Sequence, residues 1–194
     1  MSSRRKVLYL TGPPAVGKSS ISEALRASHG ANVYSYGALL TERITGARDQ
    51  AELRARSAGL IRASDVDDLD EELVRQLELS PAELIVIDSH AVTKESWGFR
   101  AVPYSSAIIG RLGITHIVCL YAEGETIAAR IVDNPGGRPL PSAFEIETHQ
   151  HLQGSLALAY AHSLGVPIYF VVNEGELHEA VDAIVTCCEL SSLQ

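Results

Sequence analysis

The sequence has no apolar run long enough to cross a membrane as a helix. Its longest candidate, residues 114–122, is interrupted by Thr115 and His116, whereas a spanning helix needs about 18 apolar residues. Residues 1–6 lead directly into a predicted strand, without the apolar core of a signal peptide. We therefore expect a cytoplasmic protein that has no membrane partner.

Positive charge is also scarce. The chain carries 16 Lys and Arg residues against 24 Asp and Glu residues, which gives a formal net charge of −8 at pH 7. Because such a surface repels the phosphate backbone of nucleic acids, we expect no DNA or RNA partner. A small phosphorylated ligand remains compatible with this charge, since a few local cations are enough to bind it.

Cysteine is rare, and its spacing excludes two further classes of site. Cys119, Cys187 and Cys188 have neither the spacing of a zinc site nor that of a disulfide framework. His149 and His151 lie on one predicted helix but point to different faces, so they do not form a metal-binding pair. We expect free thiols and no zinc.

Strand-like and helix-like segments alternate along the whole chain. The apolar runs have no Asn-Gly hairpin signals between them, which favours a parallel sheet with helices on both faces. A length of 194 residues is typical of one domain. We predict a single α/β domain over residues 1–194, with strands at 6–10, 32–36, 84–87, 116–121 and 167–172.

Helix signals fill the intervals between these strands. Ser142 and Glu145 have the spacing of a capping box, and Gly165 is a natural stop, so one long helix is predicted between them. Residues 49–79 are typical of two or three helices, with a possible start at Ser64-Asp65. We predict a loop over residues 89–103 and further helices at 19–28, 38–44, 104–111, 125–132 and 176–188.

The phosphate-loop pattern G-x-x-x-x-G-K-[ST] stands between the first strand and the first helix. Its glycines let backbone N–H groups surround phosphates, and the helix N-terminus adds its dipole. We expect Lys18 to reach the β- and γ-phosphates and the Ser19 hydroxyl to bind Mg²⁺. A Gly/Pro turn with a solvated lysine is the alternative. The predicted nucleotide-binding residues are Gly12, Pro13, Pro14, Ala15, Val16, Gly17, Lys18, Ser19 and Ser20.

Asp88 directly follows the buried-looking run of residues 84–87. In parallel sheets, ligands collect at the carboxyl ends of the strands, where the phosphate loop also lies. We therefore predict that Asp88 holds Mg²⁺ through water, as a Walker B acid does. The alternative is that Asp88 only forms a turn.

Further motifs accompany the phosphate loop along nearly the whole chain: Tyr36-Gly37, Asp88-Ser89-His90-Ala91 with Lys94, residues 123–133 with Arg130, His149-Gln150, Tyr160-Ala161 with Gly165, and Asn173-Glu174-Gly175. With these motifs the chain resembles the archaeal-type adenylate kinases, a group of P-loop nucleoside monophosphate kinases.

The resemblance implies that ATP and Mg²⁺ are used to phosphorylate a small-molecule acceptor, a nucleoside monophosphate with AMP first. It implies a three-layer P-loop NTPase fold with a five-stranded parallel sheet, a helical acceptor flap at residues 37–79 and a short lid at 133–142. Arg130, just before that lid, and Arg138, within it, are candidates to clamp phosphates, and the alternative for each is a solvated surface charge. The candidate acceptor-binding residues are Tyr36, Gly37, His90, Lys94 and Arg100.

Two departures from the family pattern keep other functions open. The family's Arg-x-Arg-Asp lid is replaced here by residues 136–139, and its Asn-Arg after His-Gln is replaced by Gln153-Gly154. An arginine that stabilises the transferring group can be worth roughly 10³ to 10⁵ in rate. The alternatives are a kinase of the same fold that phosphorylates a hydroxyl of another small molecule, and a nucleotide-binding switch protein with weak ATPase activity.

Overall fold

A computed structural model describes residues 5–43, 63–135 and 139–190. Its strands are β1 (Lys6–Thr11), β2 (Asn32–Ser35), β3 (Leu84–Asp88), β4 (Val92–Glu95), β5 (Gly98–Ala101), β6 (His116–Tyr121) and β7 (Ile168–Val172). Its helices are α1 (Lys18–His29), α2 (Tyr36–Arg43), α3 (Ala63–Leu79), α4 (Ser106–Arg111), α5 (Gly124–Asp133), α6 (Ala143–Leu164) and α7 (Leu177–Cys187).

Five strands form one parallel sheet in the order β2-β3-β1-β6-β7. The central strand β1 places Leu8 opposite Val86 of β3 on one side and opposite His116 of β6 on the other. All residues of β3 are buried, as expected for an apolar run covered on both faces. The prediction of an α/β fold built on a five-stranded parallel sheet is confirmed.

Two hydrophobic cores lie on opposite faces of this sheet. Alternate residues of β1 enter each of them, because successive side chains of a strand point to opposite faces. Leu8 and Leu10 belong to the core that also contains Ile21 of α1 and Ile184 of α7. Val7 and Tyr9 belong to the second core, with Leu73 of α3 and Ala157 of α6 among its other members. Helices therefore cover both faces of the sheet.

The loop predicted over residues 89–103 is wrong, because this segment contains an antiparallel hairpin. β4 and β5 pair with Glu95 opposite Gly98 and Val92 opposite Ala101, and residues 96–97 form the turn. The hairpin is a separate two-stranded sheet. Its strands are four residues long and carry charged side chains, so they lack the apolar run by which the other strands were predicted.

Local signals fixed the ends of the long helix. The Ser142 side chain accepts a hydrogen bond from the backbone N–H of Glu145, the Glu145 side chain caps Ser142 in return, and Gly165 ends the helix in the left-handed conformation. Helix α3 begins at Ala63, close to the start expected at Ser64. The rest of the predicted flap helices, residues 44–62, lies outside the described residues. None of the described helices is long and apolar enough to cross a membrane.

Candidate functional site

The phosphate loop and Asp88 lie at the same edge of the sheet. β1 and β3 are neighbours, with Leu10 opposite Asp88, and the loop follows β1 directly. Asp88 is only 9% exposed. The parallel register therefore brings together two features that are about seventy residues apart in the sequence.

The backbone of the loop needs glycine at two positions. Gly12 has a φ of 145°, and a Cβ there would lie 2.6 Å from the carbonyl oxygen of Leu120. Gly17 has a φ of 98°, and a Cβ there would collide with the side-chain amide of Asn173. Ala15 also has a positive φ, of 64°, and such a conformation is kept at functional sites at a cost of about 1–2 kcal/mol.

Lys18 is buried, so the alternative of a solvated lysine is wrong. Its ammonium group donates hydrogen bonds to the carbonyl oxygens of Gly12 at 2.8 Å and Pro13 at 3.0 Å, and the residue is 8% exposed. Burial raises the pKa of the Asp88 carboxyl above its usual value, while the charge of Lys18 opposes that rise. The two opposite charges thus act on each other beside the loop.

Ser19 and Ser20 are exposed in the first turn of α1, which contains no acidic residue. The positive end of the helix dipole is therefore not neutralised by a side chain of that turn. Among the described residues, no three His, Cys, Asp or Glu side chains form a metal cluster. A single carboxylate and a hydroxyl are instead the kind of ligand set that suits Mg²⁺, which keeps several waters.

Two donors from other elements converge on the middle of the loop. The side-chain amide of Asn173 donates to the carbonyl oxygen of Val16 at 2.7 Å, and Arg130 of α5 reaches the same oxygen at 3.4 Å. Arg130 therefore lies at the phosphate loop, while Arg138 lies outside the described residues. Sequence reasoning did not assign Asn173 to the site, although its position directly after β7 is a usable signal.

A buried polar group behind the loop was also missed. Gln153 of α6 donates from Nε2 to Thr11 Oγ1 at 2.7 Å and accepts at Oε1 from the backbone N–H of Val92 at 3.2 Å. His149 lies one helical turn earlier and donates from Nε2 to the carbonyl oxygen of Val92 at 2.9 Å. Burial lowers the pKa of His149 to about 4, so its ring is neutral at physiological pH.

The predicted acceptor residues Tyr36 and Gly37 begin α2, next to β3 and α3. The Tyr36 hydroxyl donates to the Asp70 carboxylate at 2.7 Å, and burial together with Asp70 raises the pKa of Tyr36. The Tyr36 ring meets that of Tyr104 edge to face at 5.5 Å. Tyr104 in turn shares a hydrogen bond of 3.3 Å with Ser89. Tyr36 is thus linked through Tyr104 to Ser89, the residue that follows Asp88 in the chain.

The other predicted acceptor residues lie on or beside the hairpin. Lys94 pairs with Glu145 of α6 at 3.0 Å, and Arg100 pairs with Glu95 at 3.1 Å. His90 is half-buried between β3 and β4. Both hairpin cations therefore have a carboxylate partner in this structure.

Comparisons with known proteins show what the chain as a whole resembles. A family model described as AAA domain matches residues 11–147, more than half of the chain. The adenylate kinase of Pyrococcus furiosus is 27% identical over 95% of this chain and 96% of its own length. The adenylate kinase of Methanopyrus kandleri is 27% identical over 92% of this chain and 95% of its own length.

Solved structures with low sequence identity share the fold. A gluconokinase from Sinorhizobium meliloti 1021 aligns with a TM-score of 0.52 and 18% identity, over 98% of this chain and 95% of its own. A sugar kinase from Janibacter sp. HTCC2649 aligns with a TM-score of 0.57 and 11% identity, over 97% of this chain and 98% of its own. The resemblance to archaeal adenylate kinases and the P-loop kinase fold are thus confirmed.

Proposed function

This chain belongs to the AAA domain family and is a P-loop phosphotransferase, and from that premise we propose that it transfers the γ-phosphoryl group of ATP to a nucleoside monophosphate, with AMP as the first candidate. The observation that carries the proposal is the phosphate loop with Lys18 buried beside Asp88. Relatives named adenylate kinase that match 95% of the chain favour AMP. We further propose a cytoplasmic location.

The donor side of the site suits ATP and Mg²⁺. Loop N–H groups and the N-terminus of α1 would hold the phosphates, with Lys18 at the β- and γ-phosphates. The Ser19 hydroxyl and, through water, the Asp88 carboxylate would hold Mg²⁺. When bound, this ion neutralises the charge that develops on the phosphates.

No side-chain nucleophile is needed for such a transfer, because catalysis consists of positioning and charge stabilisation. Arg130, which already reaches the loop at Val16, is placed to add a second positive charge. In this proposal residues 133–142, with Arg138, act as a lid that excludes water, and residues 37–79 act as the acceptor flap. Tyr36, Gly37, His90, Lys94 and Arg100 then belong to the acceptor side.

One observation favours a second candidate, a kinase of the same fold with a hydroxyl acceptor. Lys94 and Arg100 are already paired with Glu145 and Glu95, so an acceptor phosphate would have to compete with these carboxylates. An uncharged hydroxyl compound needs no such cations. The gluconokinase and the sugar kinase that share the fold act, by their names, on gluconate and on a sugar, which both offer hydroxyl groups as acceptors.

A coupled assay of ADP formation distinguishes these functions. The purified protein receives ATP and Mg²⁺, first without acceptor, then with AMP, CMP, UMP, GMP or dTMP, and finally with gluconate or neutral sugars. ADP formation that depends on AMP supports the proposal, whereas formation only with a hydroxyl compound replaces it with the second candidate. ATP loss that no acceptor increases would contradict both and favour a nucleotide switch. The Lys18→Ala protein, purified in parallel, controls for contaminating kinases.

A further inference from the structure

One face of α6 carries the β4–β5 hairpin. Glu145, His149 and Gln153 are spaced four residues apart, so they lie above one another on the same side of the helix. Glu145 pairs with Lys94 at 3.0 Å. His149 and Gln153 bind the carbonyl oxygen and the N–H of Val92, the first residue of β4. Both backbone polar groups of Val92 are thus satisfied by α6.

The hairpin's second strand rests on the same face. The ring of Phe99 meets the imidazole of His149 edge to face, with centroids 5.2 Å apart. His149 is 6% exposed and Val92 is 1% exposed. The contact between hairpin and helix therefore excludes water, and the hydrogen bonds within it have no solvent to replace them.

Gln153 also contacts the end of β1 from which the phosphate loop begins. Its Nε2 donates to Thr11 Oγ1 at 2.7 Å, and Thr11 is the last residue of β1, directly before Gly12. Gln153 is 1% exposed and Thr11 is fully buried. One buried amide thus joins the start of the phosphate loop to the first residue of the hairpin, because its nitrogen and its oxygen each make a hydrogen bond.

We propose that Gln153 is a positioning residue that sets the place of the β4–β5 hairpin relative to the phosphate loop. The inference rests on the proposed function, because it takes the hairpin, with Lys94 and Arg100, as one wall of the acceptor site. A displacement of about 1 Å between reacting groups can cost on the order of 10²-fold in rate. A rigid link between the two walls of the site therefore matters for transfer.

The phosphate loop has other supports, so loss of the amide acts mainly on the hairpin. Lys18 binds the carbonyl oxygens of Gly12 and Pro13, and Asn173 binds that of Val16. Val92, by contrast, loses the acceptor of its buried N–H when Gln153 loses its amide. We therefore expect donor binding to persist while the hairpin loosens.

The test compares Gln153→Leu, which keeps the approximate size but removes the amide, with Ser155→Ala on the exposed side of the same helix. In Gln153→Leu, hydrogen exchange measured by mass spectrometry is expected to be about tenfold faster in peptides covering residues 92–101, because one buried hydrogen bond is lost. Peptides covering α1 should be unchanged. The acceptor KM should rise about tenfold while the ATP KM stays within about twofold. Ser155→Ala should match the wild type.

Two results would overturn the inference: unchanged exchange in the hairpin, or an equal increase in all peptides, which marks a merely structural role. If Gln153→Leu fails to fold, Gln153→Asn, one methylene too short to span Thr11 and Val92, should show the same local pattern. If the wild type phosphorylates no monophosphate, the kinetic measurement contradicts the proposed function. The exchange measurement needs no substrate and still decides whether Gln153 places the hairpin.

Discussion

The side-chain amide of Asn173 donates a hydrogen bond of 2.7 Å to the carbonyl oxygen of Val16. Asn173 directly follows β7, one of the two edge strands of the sheet, whereas Val16 lies in the loop after the central strand β1. The bond therefore ties together two loops that follow different strands. It also explains the glycine at position 17, since any side chain there would occupy the space of the Asn173 amide.

Replacing Asn173 with alanine should weaken nucleotide binding. The Val16 carbonyl would keep only the longer contact with Arg130 at 3.4 Å, so the loop loses most of its support on this side. Loss of such a buried hydrogen bond is worth about 1–3 kcal/mol, which is roughly five- to 150-fold in Kd. Calorimetric titration with ADP and Mg²⁺ measures the effect. An ADP affinity equal to that of the wild type would show that the loop holds its shape without Asn173.

Lys18→Ala should reduce turnover strongly and also lower stability. Removing one preorganised donor typically costs about 10²–10³ in kcat. Because the Lys18 ammonium is buried on the carbonyl oxygens of Gly12 and Pro13, its removal leaves two acceptors without that partner, and we expect about 1–2 kcal/mol less unfolding free energy. Steady-state kinetics and urea unfolding measure the two effects. Retained activity would refute the phosphate-loop assignment.

Asp88→Asn should weaken the dependence on Mg²⁺ and change the acid limb of the pH profile. Burial raises the pKa of this carboxyl. On acidification, the activity of the wild type should therefore fall at a higher pH than it would if the aspartate were exposed. Asparagine cannot ionise, so the pH profile of the Asp88→Asn protein should lack that acid limb. Mg²⁺ titrations at several pH values measure both effects. A Mg²⁺ titration identical to the wild type's would assign Asp88 a structural role.

Patterns that are local in the sequence predicted the fold well. Residues 116–121 were predicted as a strand from one apolar run, and the capping box and Gly165 bound α6 at the expected ends. The sequence also predicted that the phosphate loop and Asp88 lie at the same edge of the sheet, because parallel strands place their carboxyl ends together.

Contacts between distant residues could not be predicted in this way. Gln153 and Thr11 are 142 positions apart, and Asn173 and Val16 are 157 apart, so only the packed sheet and helices bring them together. The hairpin escaped prediction for a related reason. Its strands are short and charged, and contacts with α6 hold it in place through Val92, Lys94 and Phe99.

The stability of the protein should depend on pH through His149. Burial lowers the pKa of His149 from 6.5 to about 4, so between these values the unfolded chain binds a proton that the folded chain does not. The stabilisation is complete above pH 6.5 and is lost as the pH falls toward 4. Between pH 7 and pH 5 the wild type should lose on the order of 2 kcal/mol of unfolding free energy through this residue.

His149→Gln should remove that loss, because glutamine does not titrate and can still donate to the carbonyl oxygen of Val92. Urea unfolding at pH 7 and pH 5 gives the free energies of both proteins, and His151→Gln, an exposed histidine on the same helix, is the matched control. The control should follow the wild type. If His149→Gln also loses as much stability as the wild type between the two pH values, then His149 is not the group whose protonation destabilises the folded protein.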